Sequence, residues 1–210
     1  MAGKLPIARE GWPFIVGPAA VAAVLWATGH RRLAAPFATA ALASLGFFRD
    51  PERTVPSGTG LVVAPADGRV TAVTDEIDEW VGPAVRVSIF LSPLDVHINR
   101  APIAGRVADI RYTPGRFLAA YTPEAGLVNE RCALSLEGDH ARVTVVQVAG
   151  VLARRIVCRV IVGDKLEAGE RYGMIRFGSR TDCVMPRGTA LRVAVGDHVR
   201  GGASILGMLA

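Results

Sequence analysis

ARVTVVQVAGV (141–151), AVRVSIFL (84–91) and GRVADIRY (105–112) are short β-branched runs closed by glycine, proline or acidic turns, and they decide the fold. LVVAP (61–65), GRVTAVT (68–74), RRIVCRVIVG (154–163) and ALRVAVG (190–196) repeat the pattern. Runs of this length suit strands, since a core helix needs roughly ten residues or more. From Leu61 onward the chain reads as a mainly β domain of packed antiparallel strands.

A weak internal echo supports a particular β architecture. Residues 162–174, VGDKLEAGERYGM, and 195–208, VGDHVRGGASILGM, share the pattern VGD-x-[LV]-x-x-G. Strand–turn–strand units of this kind recur in the hammerhead domains that carry biotin or lipoate. Lys165 follows Gly-Asp at the start of a turn and lacks the exposed hairpin tip a carrier lysine needs. The echo therefore speaks for a compact barrel-sandwich, hammerhead-like fold and not for a carrier.

Outward toward the N-terminus the composition changes abruptly. FFRDPERTVPSGTG (47–60) is polar and rich in proline and glycine, which places a domain boundary there. Ahead of it, residues 11–30 contain no Asp, Glu, Lys or Arg, and residues 33–48 form a second uncharged stretch beyond Arg31 and Arg32. Sixteen helical residues cover about 24 Å of a hydrocarbon core about 30 Å thick, so the first stretch can span and the second is marginal. Residues 1–48 thus read as an α-helical hydrophobic hairpin that anchors the protein to a membrane, with 49–210 as the β domain. A signal peptide would also place Lys4 and Arg9 before an apolar region, but the second apolar stretch favours the hairpin. Arginines flank both stretches, so the positive-inside rule leaves the orientation open.

The formal net charge is +5, and the only lysines are Lys4 and Lys165. The arginines are scattered without a basic run, which speaks against nucleic acid as a partner and for an anionic membrane surface. Cys132, Cys158 and Cys183 form no CxxC and no Cys/His cluster, so neither a disulfide framework nor a metal site is indicated. That usage fits a reducing environment, with the β domain on the cytoplasmic side of the cell membrane.

Four further stretches carry chemistry: FFRDPERTVP (47–56), VVAPADGRV (62–70), FLSPLDVHINRAPIAGRV (90–107) and GERYGMIRFGSRTDCVMP (169–186). In this order, behind the apolar pair, they resemble the short bacterial form of phosphatidylserine decarboxylase over nearly the whole chain. YTPGRFLAAYTPEAGLVNER (112–131) is also similar to the family. The resemblance implies a proenzyme that cuts itself between Gly178 and Ser179. The Ser179 hydroxyl attacks the Gly178 carbonyl, and the resulting ester eliminates. Hydrolysis then leaves a pyruvoyl cofactor at the head of a 32-residue fragment (210 − 178). A Schiff base on that carbonyl supplies the electron sink that decarboxylation needs. The implied partners are the phosphatidylserine substrate, membrane lipids, and the chain's own two fragments held as a heterodimer with room for further oligomerisation.

Gly178 has no Cβ to obstruct attack on its carbonyl and tolerates a strained turn. Serine needs a base, and a third group to orient that base. Of the four histidines, His30 lies in the hairpin, while His140 and His198 sit in turn sequences. His97, within SPLDVHINR, is the candidate base. Longer family members carry H-x-x-H where this chain has His97 and then Arg100, so one imidazole is left to serve self-cleavage, decarboxylation or both. Asp67 in APADGRV resembles the family's orienting carboxylate, although an Asp-Gly turn is also a common structural motif. Asp95, two residues before His97, competes for that role. Arg100, Arg116 and Arg131 are candidates for the substrate phosphate, and Phe117 and Leu118 for contact with lipid. The rival reading is a non-enzymatic, membrane-anchored hammerhead-type binding module, which needs no cleavage site.

Overall fold

The computed structural model describes residues 6–119, 122, 124–151, 155–176 and 179–209. It divides into two compact units, Met1–Glu52 and Arg53–Ala210.

In the first unit, α1 (Trp12–Ala27) and α2 (Arg31–Phe47) pack as a hairpin. Thr28 closes α1, its amide and its Oγ1 both donating to the Val24 carbonyl at 3.0 and 2.9 Å. Gly29 then reverses the chain at φ 85°, a conformation that costs a glycine little. Val24, Trp26, Leu33 and Leu42 point outward and are exposed. An exposed helix that is apolar on every side suits a surrounding other than water. Arg9–Ala27, 19 residues, is the one helix among the described residues long and apolar enough to cross a membrane.

The second unit is mainly β. Its strands are β1 (Leu61–Val63), β2 (Gly68–Asp78), β3 (Gly82–Leu91), β4 (Ile98–Arg100), β5 (Gly105–Thr113), β6 (Arg131–Glu137) and β7 (Arg142–Ala149). Then come β8 (Ile156–Cys158), β9 (Lys165–Leu166), β10 (Arg171–Ile175), β11 (Ser179–Pro186), β12 (Ala190–Leu191), β13 (His198–Val199) and β14 (Ile205–Met208). A single helical turn, α3 (Ala125–Val128), lies between β5 and β6. Among the described residues the pairings between these strands are all antiparallel. An eight-stranded curled sheet runs β13-β2-β3-β11-β7-β6-β5-β9, and two three-stranded sheets, β1-β14-β12 and β4-β10-β8, complete the unit.

That order is palindromic about the β11–β7 pair, and the sequence echo is its trace. Asp164 and Asp197 each accept an amide three residues upstream at 2.9 Å, closing the same turn before the edge strands β9 and β13. Gly163 and Gly196 sit at φ 99° and 101°, and Gly169 and Gly202 at 76° and 75°. The first turn docks on Val107 and the second on Val70, each through a pair of 2.8 Å main-chain bonds. These docking partners close a second repeated motif, APADGRV (64–70) and APIAGRV (101–107). The hammerhead-like barrel sandwich expected from the sequence is thus two related halves sharing one core. Val70, Val87, Ile89, Val107, Leu134, Leu136, Val145 and Met185 fill it.

Candidate active site

Strand alternation divides β11 into two faces. Ser179, Thr181, Cys183 and Met185 share the face that carries the core, while Arg180, Asp182 and Val184 occupy the other. Ser179 opens the strand opposite Leu91 of β3 and Ala149 of β7. Its Oγ is buried and has no hydrogen-bond partner among the described residues. A buried hydroxyl without a partner costs about 1–3 kcal/mol, so the fold keeps this atom at a penalty. Gly178, the expected cleavage position, lies outside the described residues.

His97 is fully buried just before β4. Its Nδ1 lies 2.9 Å from the main-chain carbonyl of Asp95. A carbonyl only accepts, so Nδ1 carries the proton and the neutral ring has its lone pair on Nε2. Two links fasten this segment to the neighbourhood of Ser179. The Ile175 amide donates to the His97 carbonyl at 3.2 Å, and Asn99 Nδ2 donates to Thr181 Oγ1 at 2.9 Å. Positions 97 and 99 are only about 7 Å apart along an extended chain. Ser179, two residues from Thr181, is therefore held in the vicinity of His97. Gln147 of β7 continues the chain of polar groups by donating to Asn99 Oδ1 at 2.8 Å.

Asp67 is buried in the turn between β1 and β2, where Oδ1 accepts the Gly201 amide and Oδ2 accepts Arg53 Nη2, both at 2.8 Å. Burial pushes its carboxyl above the usual range. The Gly201 amide and the Arg53 charge oppose that shift, while the nearby Asp95 charge adds to it. The internal repeat isolates what Asp67 is for. Ala104 holds the equivalent place in APIAGRV, so the turn itself forms without an aspartate. The side chain at position 67 serves something besides local geometry.

The Asp95 carboxylate is turned back into its own turn, with Oδ2 accepting the Ser92 amide at 2.8 Å and the Ser92 hydroxyl at 2.7 Å. Oδ1 faces His198 Nε2 at 3.5 Å. His198 reads as an ordinary turn residue in the sequence, and the repeat brings it here: β13 runs along the edge of β2 and returns Gly201 to Asp67. Asn99, Thr181, Gln147, Arg53 and His198 are the members of the cluster that sequence reasoning missed. The one available signal was Gln147, an amide alone among valines in VTVVQV.

The three candidate arginines separate in space. Arg100 is buried and donates to the Gly169 carbonyl at 3.0 Å. Arg131 stands opposite Val148, which stands opposite Arg180, and so shares the face turned away from Ser179. Arg116 is exposed on the segment before α3, and its side chain makes no ion pair among the described residues. The far face of β11 is polar as well. Asp182, fully buried, pairs with Arg180 at 2.9 Å and with Arg86 at 2.8 Å, and Arg86 holds Glu76 at 2.6 Å.

Comparison with known proteins identifies the family of the chain as a whole. The family model described as phosphatidylserine decarboxylase matches residues 41–207. A phosphatidylserine decarboxylase proenzyme of Symbiobacterium thermophilum is 52% identical over 207 residues, covering 97% of this chain and 95% of the relative. Proenzymes of the same description from Nitrosomonas europaea and Desulfotalea psychrophila are 48% and 44% identical. They cover 95% and 98% of this chain, and 94% and 98% of their own lengths.

Proposed function

The chain belongs to the phosphatidylserine decarboxylase family, and from that premise we propose that it converts phosphatidylserine to phosphatidylethanolamine with a pyruvoyl group made from Ser179. Its class is then a carboxy-lyase that matures by cutting itself. The observation that carries the reading is the buried Ser179 Oγ without a partner among the described residues, at the head of a central strand whose Thr181 is bonded to Asn99, two residues beyond a buried imidazole.

Self-cleavage follows from these groups. His97 Nε2 takes the Ser179 hydroxyl proton as Oγ bonds to the Gly178 carbonyl carbon, and general-base help of this kind contributes about 10²–10⁴-fold. The Gly178–Ser179 C–N bond breaks, the nitrogen gains a proton, and an ester remains. Loss of the Cα proton expels the Gly178 carboxylate and leaves dehydroalanine. Water then enters, ammonia leaves, and residue 179 ends as a ketone.

An orphaned buried polar atom at the strand head fits a residue that is consumed in this way. Leu91 and Ala149 would flank the new group as they flank Ser179. When formed, it supplies a carbonyl that binds the substrate amine and accepts the electron pair left by carbon dioxide. His97, with Nδ1 fixed on the Asp95 carbonyl, holds the proton that must then return to carbon. Asp67 and Asp95 act on that ring through the field of their charges and through the Asp95 carbonyl. Arg116 is the exposed candidate for the substrate phosphate. Residues 1–48 anchor the enzyme in the cell membrane, residues 49–210 form the decarboxylase domain on the cytoplasmic side, and the two cleaved chains stay together.

Intact mass spectrometry of the purified protein tests the reading. Two chains are expected, Met1–Gly178 and a 32-residue fragment (210 − 178) without a free amine. One intact 22.2 kDa chain would overturn it.

A further inference from the structure

We propose that the Ser179 end of the β unit is itself a bilayer-docking surface, a rim of apolar loop tips that enters the lipid headgroup region and opens the site directly onto the membrane. The inference rests on the reading of Ser179 as the reactive centre.

Three chain segments end around Ser179, and each places large apolar side chains in solvent. Beyond Leu91, the β3 partner of Ser179, the chain makes a tight turn closed by the Asp95 amide on the Ser92 carbonyl at 2.9 Å. Leu94 stands at the tip of that turn, 84% exposed. Beyond Ala149, the β7 partner of Ser179, Val151 is 56% exposed. The third segment is pinned to the same place by Asn129. Its Oδ1 accepts the Leu118 amide at 2.9 Å, and its Nδ2 donates to the Leu118 carbonyl at 2.9 Å and the Ala149 carbonyl at 2.7 Å. This clamp fixes the stretch carrying Phe117 and Leu118, 36% and 40% exposed, beside the β7 end.

One bond of Asn129 satisfies the core residue Ala149, but the two it spends on Leu118 hold exposed apolar residues at one spot, which adds nothing to the core. It has value if those residues meet a second apolar phase. The charges on these segments agree with an anionic bilayer as that phase. Arg116 and Arg155 are exposed and make no ion pair among the described residues, whereas the carboxylate of Asp95 is folded back into its own turn. Arg155 belongs to the same end, since its carbonyl accepts the Arg176 amide at 3.3 Å, and Ile156 packs on Ala149 and Ile175. Apolar tips flanked by unpaired arginines are the composition that binds a headgroup interface rich in anionic lipid. A water-soluble protein partner is disfavoured because the exposed tips pair large apolar side chains with arginines that make no ion pair among the described residues, while the Asp95 carboxylate beside Leu94 is turned inward.

Leu94→Glu/Val151→Glu in the full chain, reconstituted into phosphatidylcholine vesicles, separates docking from chemistry. Self-cleavage on a gel and turnover of monomeric dihexanoyl phosphatidylserine should stay within about twofold of the parent. Turnover of long-chain phosphatidylserine in the bilayer should fall by at least about tenfold. Equal effects on the two substrates, or none on either, overturn the proposal. A parent inactive on both substrates would instead sink the decarboxylase reading, and a second measurement keeps the docking claim testable in that case. Leu94→Trp should add tryptophan emission that lipids brominated near the headgroup quench, read as the difference from the parent. No added quenching overturns the docking surface whatever the activity.

Discussion

Replacing His97 separates its chemical role from its structural one, because its two ring nitrogens have different tasks. Nδ1 holds the Asp95 carbonyl at 2.9 Å, and Nε2 carries the lone pair. His97→Ala removes both, orphaning a buried carbonyl at about 1–3 kcal/mol and leaving a cavity besides. For a unit of this size each kcal/mol lowers the melting temperature by about 2–4 °C. His97→Asn puts an amide N–H close to where Nδ1–H was, so most of the carbonyl penalty is avoided while the base stays absent. Both variants should accumulate uncut chain, with cutting slowed about 10²–10⁴-fold, a barrier rise of about 2.7–5.4 kcal/mol. His97→Asn should melt several degrees above His97→Ala. A stability loss of a few kcal/mol leaves most molecules folded at 25 °C, so unfolding does not mimic the defect. The assay is the rate of band splitting on a denaturing gel, followed from pH 6 to 9, with melting curves on the same samples. In the variants the residual rate should climb with pH as hydroxide takes over from the imidazole. His97→Asn that cuts at the parental rate would refute the placement of the base.

Ser179→Ala should remain a single chain and release no carbon dioxide, whereas Ser179→Cys should still split slowly, since a thiol can make the same acyl shift. Removal of residues 1–48 should leave a unit that processes itself but floats poorly with liposomes, and equal flotation would count against the anchor. Burial raises the Asp67 carboxyl, so the acid limb of cutting should lie above the usual aspartate range, and Arg53→Gln, which removes an opposing charge, should move it higher still. The sign for stability is opposite: a raised carboxyl favours the protonated fold, so the Asp67 contribution is largest below its unfolded value and is lost as pH rises through the folded one. The melting difference between parent and Asp67→Asn, measured against pH, should therefore slope against the activity. Among the cysteines, Cys158 is half-buried and lowered to about 7 by the Cys132 thiol, while burial raises Cys183. Iodoacetamide at neutral pH should therefore label Cys158 first, and faster labelling of Cys183 would contradict the burial described here.

The parts of the fold legible in the sequence are those whose pattern is local. AVRVSIFL, GRVADIRY and ARVTVVQVAGV became β3, β5 and β7, and the two uncharged stretches became α1 and α2. Among the described residues RRIVCRVIVG yields the three residues of β8, which pair with β10, and the following residues turn toward β9. β11 was illegible. SRTDCVMP holds serine, arginine, threonine and aspartate in a row, and it is a buried strand only because β3 and β7 pair with it on both sides and Arg86 meets Asp182. Tertiary pairing overrides propensity there. The site divides in the same way. Ser179, His97 and Asp67 lie in motifs, but the bonds among Asn99, Thr181 and Gln147 join three strands far apart in the chain, and no single segment reveals them.

The position of Ser179 explains how such a cut can be survivable. Under the proposed reading the small fragment takes β11, β12, β13 and β14 with it. β11 remains between β3 and β7, β13 remains on β2, and β14 remains on β1, so the fragment is woven through the larger chain at three places. Cys183, Val184 and Met185 stay fully buried. At about 1.5–3 kcal/mol for a fully buried large apolar side chain, the last two alone hold several kcal/mol against dissociation. The new chain end is the harder problem. Simple hydrolysis would leave an ammonium at position 179, a charge at a buried strand head whose new counterion is the Gly178 carboxylate, the end of the other chain. A buried ion pair costs desolvation on both sides, and the ammonium becomes a costly uncompensated charge whenever the other chain end moves away. Elimination and loss of ammonia turn that end into a neutral ketone, so the chemistry that makes the electrophile also removes the charge the core would otherwise have to bury. A variant that stops at the hydrolysed stage should therefore lose its small fragment, or frayed β11 pairing, at a lower denaturant concentration than the mature enzyme. Equal midpoints for the two forms would show that the charge is accommodated and that the argument from burial is wrong.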